Sequence, residues 1–180
     1  MGFFCILLSL GVVGRTFAAD YNTVKADLAT ILGLLQTMNE DVAHVFSGPE
    51  ILPYALQVQF DAVGIHEQLL TAHDNAKASP AFGSGSFSVG LDLINAQPKI
   101  SDTLESIQDK EEEFGDLGII VLSSLYQLKA DTSSFSDAVI EKLGPLEQSL
   151  APGVVKKIQD SYDEAIAAYG GKGESSADFH

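Results

Sequence analysis

The chain has 180 residues, 46% of them hydrophobic: one domain's length, with enough apolar content for a packed interior, so a disordered polyanion is excluded. Its 25 acidic and 10 basic residues give a net charge of −15. The one arginine, Arg15, and the one cysteine, Cys5, lie close to the N-terminus; beyond them nine lysines face 25 carboxylates, a charge of −16. Beyond these two residues the chain has no basic stripe for nucleic acid, and no cysteine for a disulfide or a thiolate metal site.

Residues 2–14 are uncharged and mostly apolar, too short for a bilayer span of ~20 residues but suited to the apolar region of a signal peptide. Thr16-Phe17-Ala18 before Ala19 supplies small residues for cleavage, although no lysine or arginine precedes the apolar run. Residues 1–18 are therefore expected to be a signal peptide, 19–169 a helical domain and 170–180 a flexible polar tail. The tail lacks the hydrophobic end of a lipid-anchor signal, and the chain has no N-x-S/T sequon. Secretion as a soluble monomer is the expectation.

From Asp20 the spacing is helical. Val24, Leu28, Ile31, Leu35, Met38, Val42 and Val45 form a 4-3-4-3-4-3 seam that Gly48-Pro49 ends. A second helix is predicted from about Ile51 to Lys77, then a Ser/Gly-rich loop over Ala78–Gly90. A third should run from Phe87 or Leu91 to Phe114, with Pro98 kinking or splitting it. Gly115-Asp116 reads as a C′ glycine followed by an N-cap. The fourth helix carries Leu117, Val121, Leu125, Leu128, Thr132, Phe135, Val139 and Leu143, and Gly144-Pro145 breaks it. Pro152 is expected to open the last helix, with Val155, Ile158, Tyr162, Ile166 and Tyr169 as its seam. No stretch alternates with period two, so the class is all-α: a single-domain bundle of about five helices.

On a helical wheel the second helix has an unusual apolar arc. Val58, Ala62, Ile65, Leu69, Ala72 and Ala76 fall on one side, and Leu52, Leu56, Val63 and Leu70 on the other. Between them runs a polar row, Gln59, His66, His73 and Lys77, where an ordinary core helix would place leucine. A buried polar group costs about 1–3 kcal/mol unless paired, so the row has three readings. It lines a wet edge between two helices, meets polar partners on another helix, or faces a cavity and holds a fatty acid's carboxylate, with Gln59 and neutral histidine as donors and Lys77 as the charge.

Catalytic and metal motifs fail on spacing. His66-Glu67 is followed by His73 rather than by a histidine four residues on, and two helical turns separate the two histidines, too far apart for one metal ion. Gly83-Ser84-Gly85 lacks the third glycine of a dinucleotide loop, and no G-x-S-x-G occurs. The run Asp109–Glu113 resembles no calcium loop and reads as a solvated helix face. No enzyme, no cofactor and no metal are expected.

The segments KADTSSFSDAVIEKL (Lys129–Leu143), LAPGVVKKIQDSYDEAIAAY (Leu150–Tyr169) and SIQDKEEEFGDLG (Ser106–Gly118) resemble the fungal hydrophobic surface-binding protein A family, which includes the Mp1-type cell-wall galactomannoproteins. The resemblance implies secretion from a fungus and a five-helix bundle. In Mp1-type members it further implies a long hydrophobic cavity for fatty acids such as arachidonic acid. Other members adsorb to hydrophobic surfaces and recruit a secreted esterase. This chain lacks the Ser/Thr-rich stalk and anchor tail of wall-attached members, so cell-wall association is an open expectation.

The candidates to line a central hydrophobic cavity are Ile31, Leu35, Met38, Leu69, Ile107, Leu125, Leu128 and Phe135, with Gln59, His66 and His73 for the polar head. Periodicity does not separate lining a cavity from filling a solid core. The acyl tail needs no polar anchor: about fifteen buried methylenes yield roughly 12 kcal/mol gross, enough for micromolar binding after the cost of association. The expected ligand is a fatty acid or another apolar small molecule. The rival expectations are an interfacial protein that adsorbs to hydrophobic surfaces and an inert wall component.

Overall fold

The computed structural model describes residues 19–48 and 50–172. The expected signal peptide and most of the expected tail lie outside them. Five long helices make up the domain: α1 (Tyr21–Ala43), α2 (Ile51–Ala78), α3 (Ser86–Gln108), α5 (Gly118–Lys142) and α6 (Pro145–Ala168), with a single turn, α4 (Glu111–Phe114), between the third and fourth. The described residues contain no strand. None of their helices is long and apolar enough to cross a membrane.

Local chemistry sets the helix ends. Asp20 caps α1, its carboxylate accepting from the amides of Asn22 and Thr23 while Thr23 closes a capping box. Gly115, at φ +49°, ends α4 in a backbone conformation that disfavours a side chain. Asp116 does not cap the next helix; it lies in a 3-10 turn, Gly115–Leu117, that leads into α5.

Two prolines behave differently from the sequence expectation. Pro98 lies inside an unbroken α3, and Pro145, at the first position, opens α6, which runs through Pro152. The reason is exposure. Pro98 and Ile94 four residues before it face solvent, as do Pro152 and Gln148, so water can take the carbonyl that the missing amide leaves unpaired.

The helices close into a ring, α1–α2–α5–α6–α3 and back to α1, each packed on two neighbours. All seven predicted seam residues of the first helix are buried, and so is the first side of the α2 arc, Val58 to Ala76. The second side is not: Leu52, Leu56, Val63 and Leu70 are each 42–51% exposed.

Candidate functional site

The core and the seam between α2 and α5 carry three features. At the core, where all five long helices meet, Ile31, Leu35, Leu69 and Phe135 come together with Ile65, Ile100, Ile158 and Tyr162. The free space there is only ≈ 30 Å³, about one water's share of the liquid. Thr132 and Ser136 are the polar aliphatic residues of this interior; Thr132 shares a 3.2 Å hydrogen bond with the Tyr162 hydroxyl, whose pKa burial pushes up to about 12.

Nearer one end of the bundle, Met38, Ile107, Leu125 and Leu128 form the floor of an apolar crevice. Its walls are Leu52, Ala55 and Leu56 from α2, Leu117 from the 3-10 turn, and Ile120 and Val121 from the start of α5. Leu52, Leu56 and Ile120 leave the lip of this crevice apolar and exposed. The inner space is again ≈ 30 Å³, so a long acyl chain fits only if side chains or the two helices move apart.

Beside the crevice is a polar cleft of ≈ 180 Å³ that shares Gln59, Ala62, Ser124 and Leu128 with it and adds His66, Ser123 and Gln127. The Ser124 hydroxyl donates to Gln59 Oε1 at 2.7 Å. His66 Nδ1 lies 2.6 Å from Asp131 Oδ2, and Gln127 Nε2 donates to Asp131 Oδ1 at 3.0 Å. A carboxylate only accepts, so the His66 proton is on Nδ1. Asp131 is 7% exposed, a buried charge held by two donors.

The polar row of α2 thus finds partners on α5 in its first half. Its second half lies elsewhere: His73 Nδ1 is 3.2 Å from Asp74 Oδ1, and Lys77 is exposed. The sequence reading missed Ser124, Gln127 and Asp131. Their signal was present, since a 3-4 spacing puts them on one stripe of α5 beside its apolar seam, as Gln59 and His66 sit on α2. Among the described residues no group of three or more His, Cys, Asp or Glu comes together to hold a metal.

The profile of the family described as hydrophobic surface binding protein A matches residues 21–141. No curated protein matches the chain significantly. Among solved structures, Afmp4p in complex with palmitic acid superimposes with a TM-score of 0.79 at 25% identity, over 83% of this chain and 99% of that one. Ligand binding domain 1 of the Penicillium marneffei MP1 protein, complexed with arachidonic acids, gives 0.75 at 16% identity over 83% and 98%. Domain 2 of the same protein, complexed with multiple arachidonic acids, gives 0.76 at 15% over 85% and 97%. The two MP1 domains share the fold. With the family profile matching more than half of its length, the chain belongs to the hydrophobic surface binding protein A family.

Proposed function

We propose that this protein is a carrier of long-chain lipids, fatty acids or similar amphiphiles, and that the acyl chain enters between α2 and α5 and lies over Met38, Ile107, Leu125 and Leu128 toward Ile31, Leu35, Leu69 and Phe135. The observation that carries this reading is the exposed apolar lip, Leu52, Leu56 and Ile120, set over a crevice whose floor, Met38, Ile107, Leu125 and Leu128, is part of the buried core. Residues of this kind do not gain from facing water. A chain inserted between the helices would cover them and repay their parting at about 0.8 kcal/mol per buried methylene. The fatty acids held by Afmp4p and the MP1 domains support the same reading.

The acidic exterior suits a carrier that stays in solution. Release from the cell, with or without wall association, belongs to the proposal, and a mature N-terminus at Ala19 in the culture medium would support it.

Native mass spectrometry of the purified protein, before and after delipidation, tests the reading. The expected result is a stoichiometric long-chain adduct that disappears on delipidation and returns with added palmitate or hexadecanol. Leu125→Trp, which fills the crevice floor, should lower that uptake at least about tenfold, the loss of roughly two buried methylenes. No adduct and no uptake at tens of micromolar lipid would sink it.

A second reading has its own observation. Phe87, Leu91, Ile94, Leu146 and Leu150 form an exposed apolar groove between the starts of α3 and α6, with Phe87 68% exposed. In this reading the protein adsorbs to hydrophobic surfaces through that end and recruits a secreted esterase there. It predicts lowered interfacial tension without stoichiometric lipid.

A further inference from the structure

We propose that the polar cleft selects an uncharged, hydroxyl-bearing headgroup, as on a long-chain alcohol or a glycerol monoester, over an ionised carboxylate. The inference rests on the acyl-binding reading and adds the chemistry of the head. Crevice and cleft share Gln59, Ala62, Ser124 and Leu128, so a chain lying in the first presents its head to the second.

Four groups meet that head, and their existing bonds decide what each can still offer. With one ring proton committed to Asp131 through Nδ1, the singly protonated His66 ring offers an acceptor at Nε2. One N–H of the Gln127 amide is committed to Asp131, which leaves its carbonyl to accept and its second N–H to donate. Gln59 accepts from Ser124 through its carbonyl, which leaves its NH2 to donate. The Ser123 hydroxyl does both.

A hydroxyl head satisfies this mixed set, donating to His66 Nε2 or Gln127 Oε1 and accepting from Gln59 or Ser123. A carboxylate can use only the donors and leaves both acceptors facing it. It also meets the wrong charge. Asp131 sits one hydrogen bond behind His66, and no lysine is among the residues lining the cleft. Lys129, next along α5, is engaged by Asp163 at 2.6 Å, and Lys77 is exposed. Like charges in a partly buried site disfavour binding, and a donor-only rival is rejected through its unpaired partners.

The test is equilibrium binding of radiolabelled 1-hexadecanol, monopalmitin and palmitate to the delipidated full chain at pH 8, each lipid below its aggregation concentration. The expected result is that hexadecanol and monopalmitin bind about fivefold more tightly than palmitate, and that Asp131→Asn moves this ratio toward one. Palmitate binding as tightly as hexadecanol to the native protein overturns the inference, and that measurement does not depend on any variant folding. A ratio unchanged in folded Asp131→Asn overturns it as well. Saturable binding with palmitate preferred would leave the acyl-binding reading standing, whereas failure of all three lipids to bind would remove both.

Discussion

Asp61 on α2 lies against Asp41 of α1, and its Oδ2 is buried without a partner. Burial first, then the neighbouring carboxyl, raises its pKa from 3.8 to about 6; Gln57, donating to Oδ1 at 3.0 Å, pulls the other way. The folded state therefore holds this proton more tightly than the unfolded chain does. The stabilisation from that proton is complete below about pH 4 and is lost as pH rises through about 6. Asp61→Asn keeps the shape and removes the charge, so the variant should be more stable than the native protein at pH 7.5, by about 1 kcal/mol after allowance for partial exposure. The gap should close at pH 4.5. Urea titrations at the two pH values check this, and an equal gap at both would show that the pair is not the source. Nothing in the sequence marked the pair, because Asp41 and Asp61 sit on different helices and become neighbours only through the register of α1 on α2. His66 and Asp131 are the same case: each was visible, and their distance was not.

Helix boundaries followed from local signals wherever a cap or a glycine did the work, as at Asp20 and Gly115. They did not at Pro98 and Pro152, because proline's cost depends on whether the freed carbonyl meets water. The start of α3 shows another contact between distant segments. Gly85, in the 3-10 turn before α3, lies so close to the start of α1 that an added Cβ would be 2.4 Å from Tyr21 Cγ, with no room for it unless the ring moves. Gly85→Ala should therefore destabilise the protein by about 1–3 kcal/mol, as overpacking does. Thermal unfolding reads this directly. A change below about 0.5 kcal/mol would mean that the α1–α3 junction is loose. The exposed side of the α2 arc belongs to this scale as well. Its periodicity was legible, and its exposure was decided by the number of neighbours: a helix in a five-membered ring touches two others, and an apolar arc with two flanks exceeds what they cover.

At the scale of the whole molecule the ring order matters most. The seam α2–α5, through which the lipid is proposed to enter, is separated by at least one helix from the seam α3–α6. On that second seam the hydroxyls of Ser101 and Ser161 are 2.7 Å apart, close enough for cysteines at both positions to form a disulfide. The two positions are 60 residues apart in the chain, so the oxidised double variant Ser101→Cys/Ser161→Cys should gain up to about 4 kcal/mol. It should also keep lipid uptake, because the opening seam is left free. Thermal unfolding with and without reductant, together with lipid uptake in the oxidised form, checks both parts. Loss of uptake on oxidation would move the opening to α3–α6.

The sequence by itself determined the all-α class, the seams of the first and fourth long helices, and the exclusion of nucleic acid, since each rests on residue type and local spacing. It also showed that α2 carries a polar row inside an apolar arc. Only the tertiary structure decided what that row meets: Ser124 and Asp131 on α5 for Gln59 and His66, and only its own neighbour Asp74 for His73. It also decided which of two equally apolar flanks is core and which is lip. Periodicity says which residues share a face; what lies opposite depends on helix order and register around the ring, which no local pattern records.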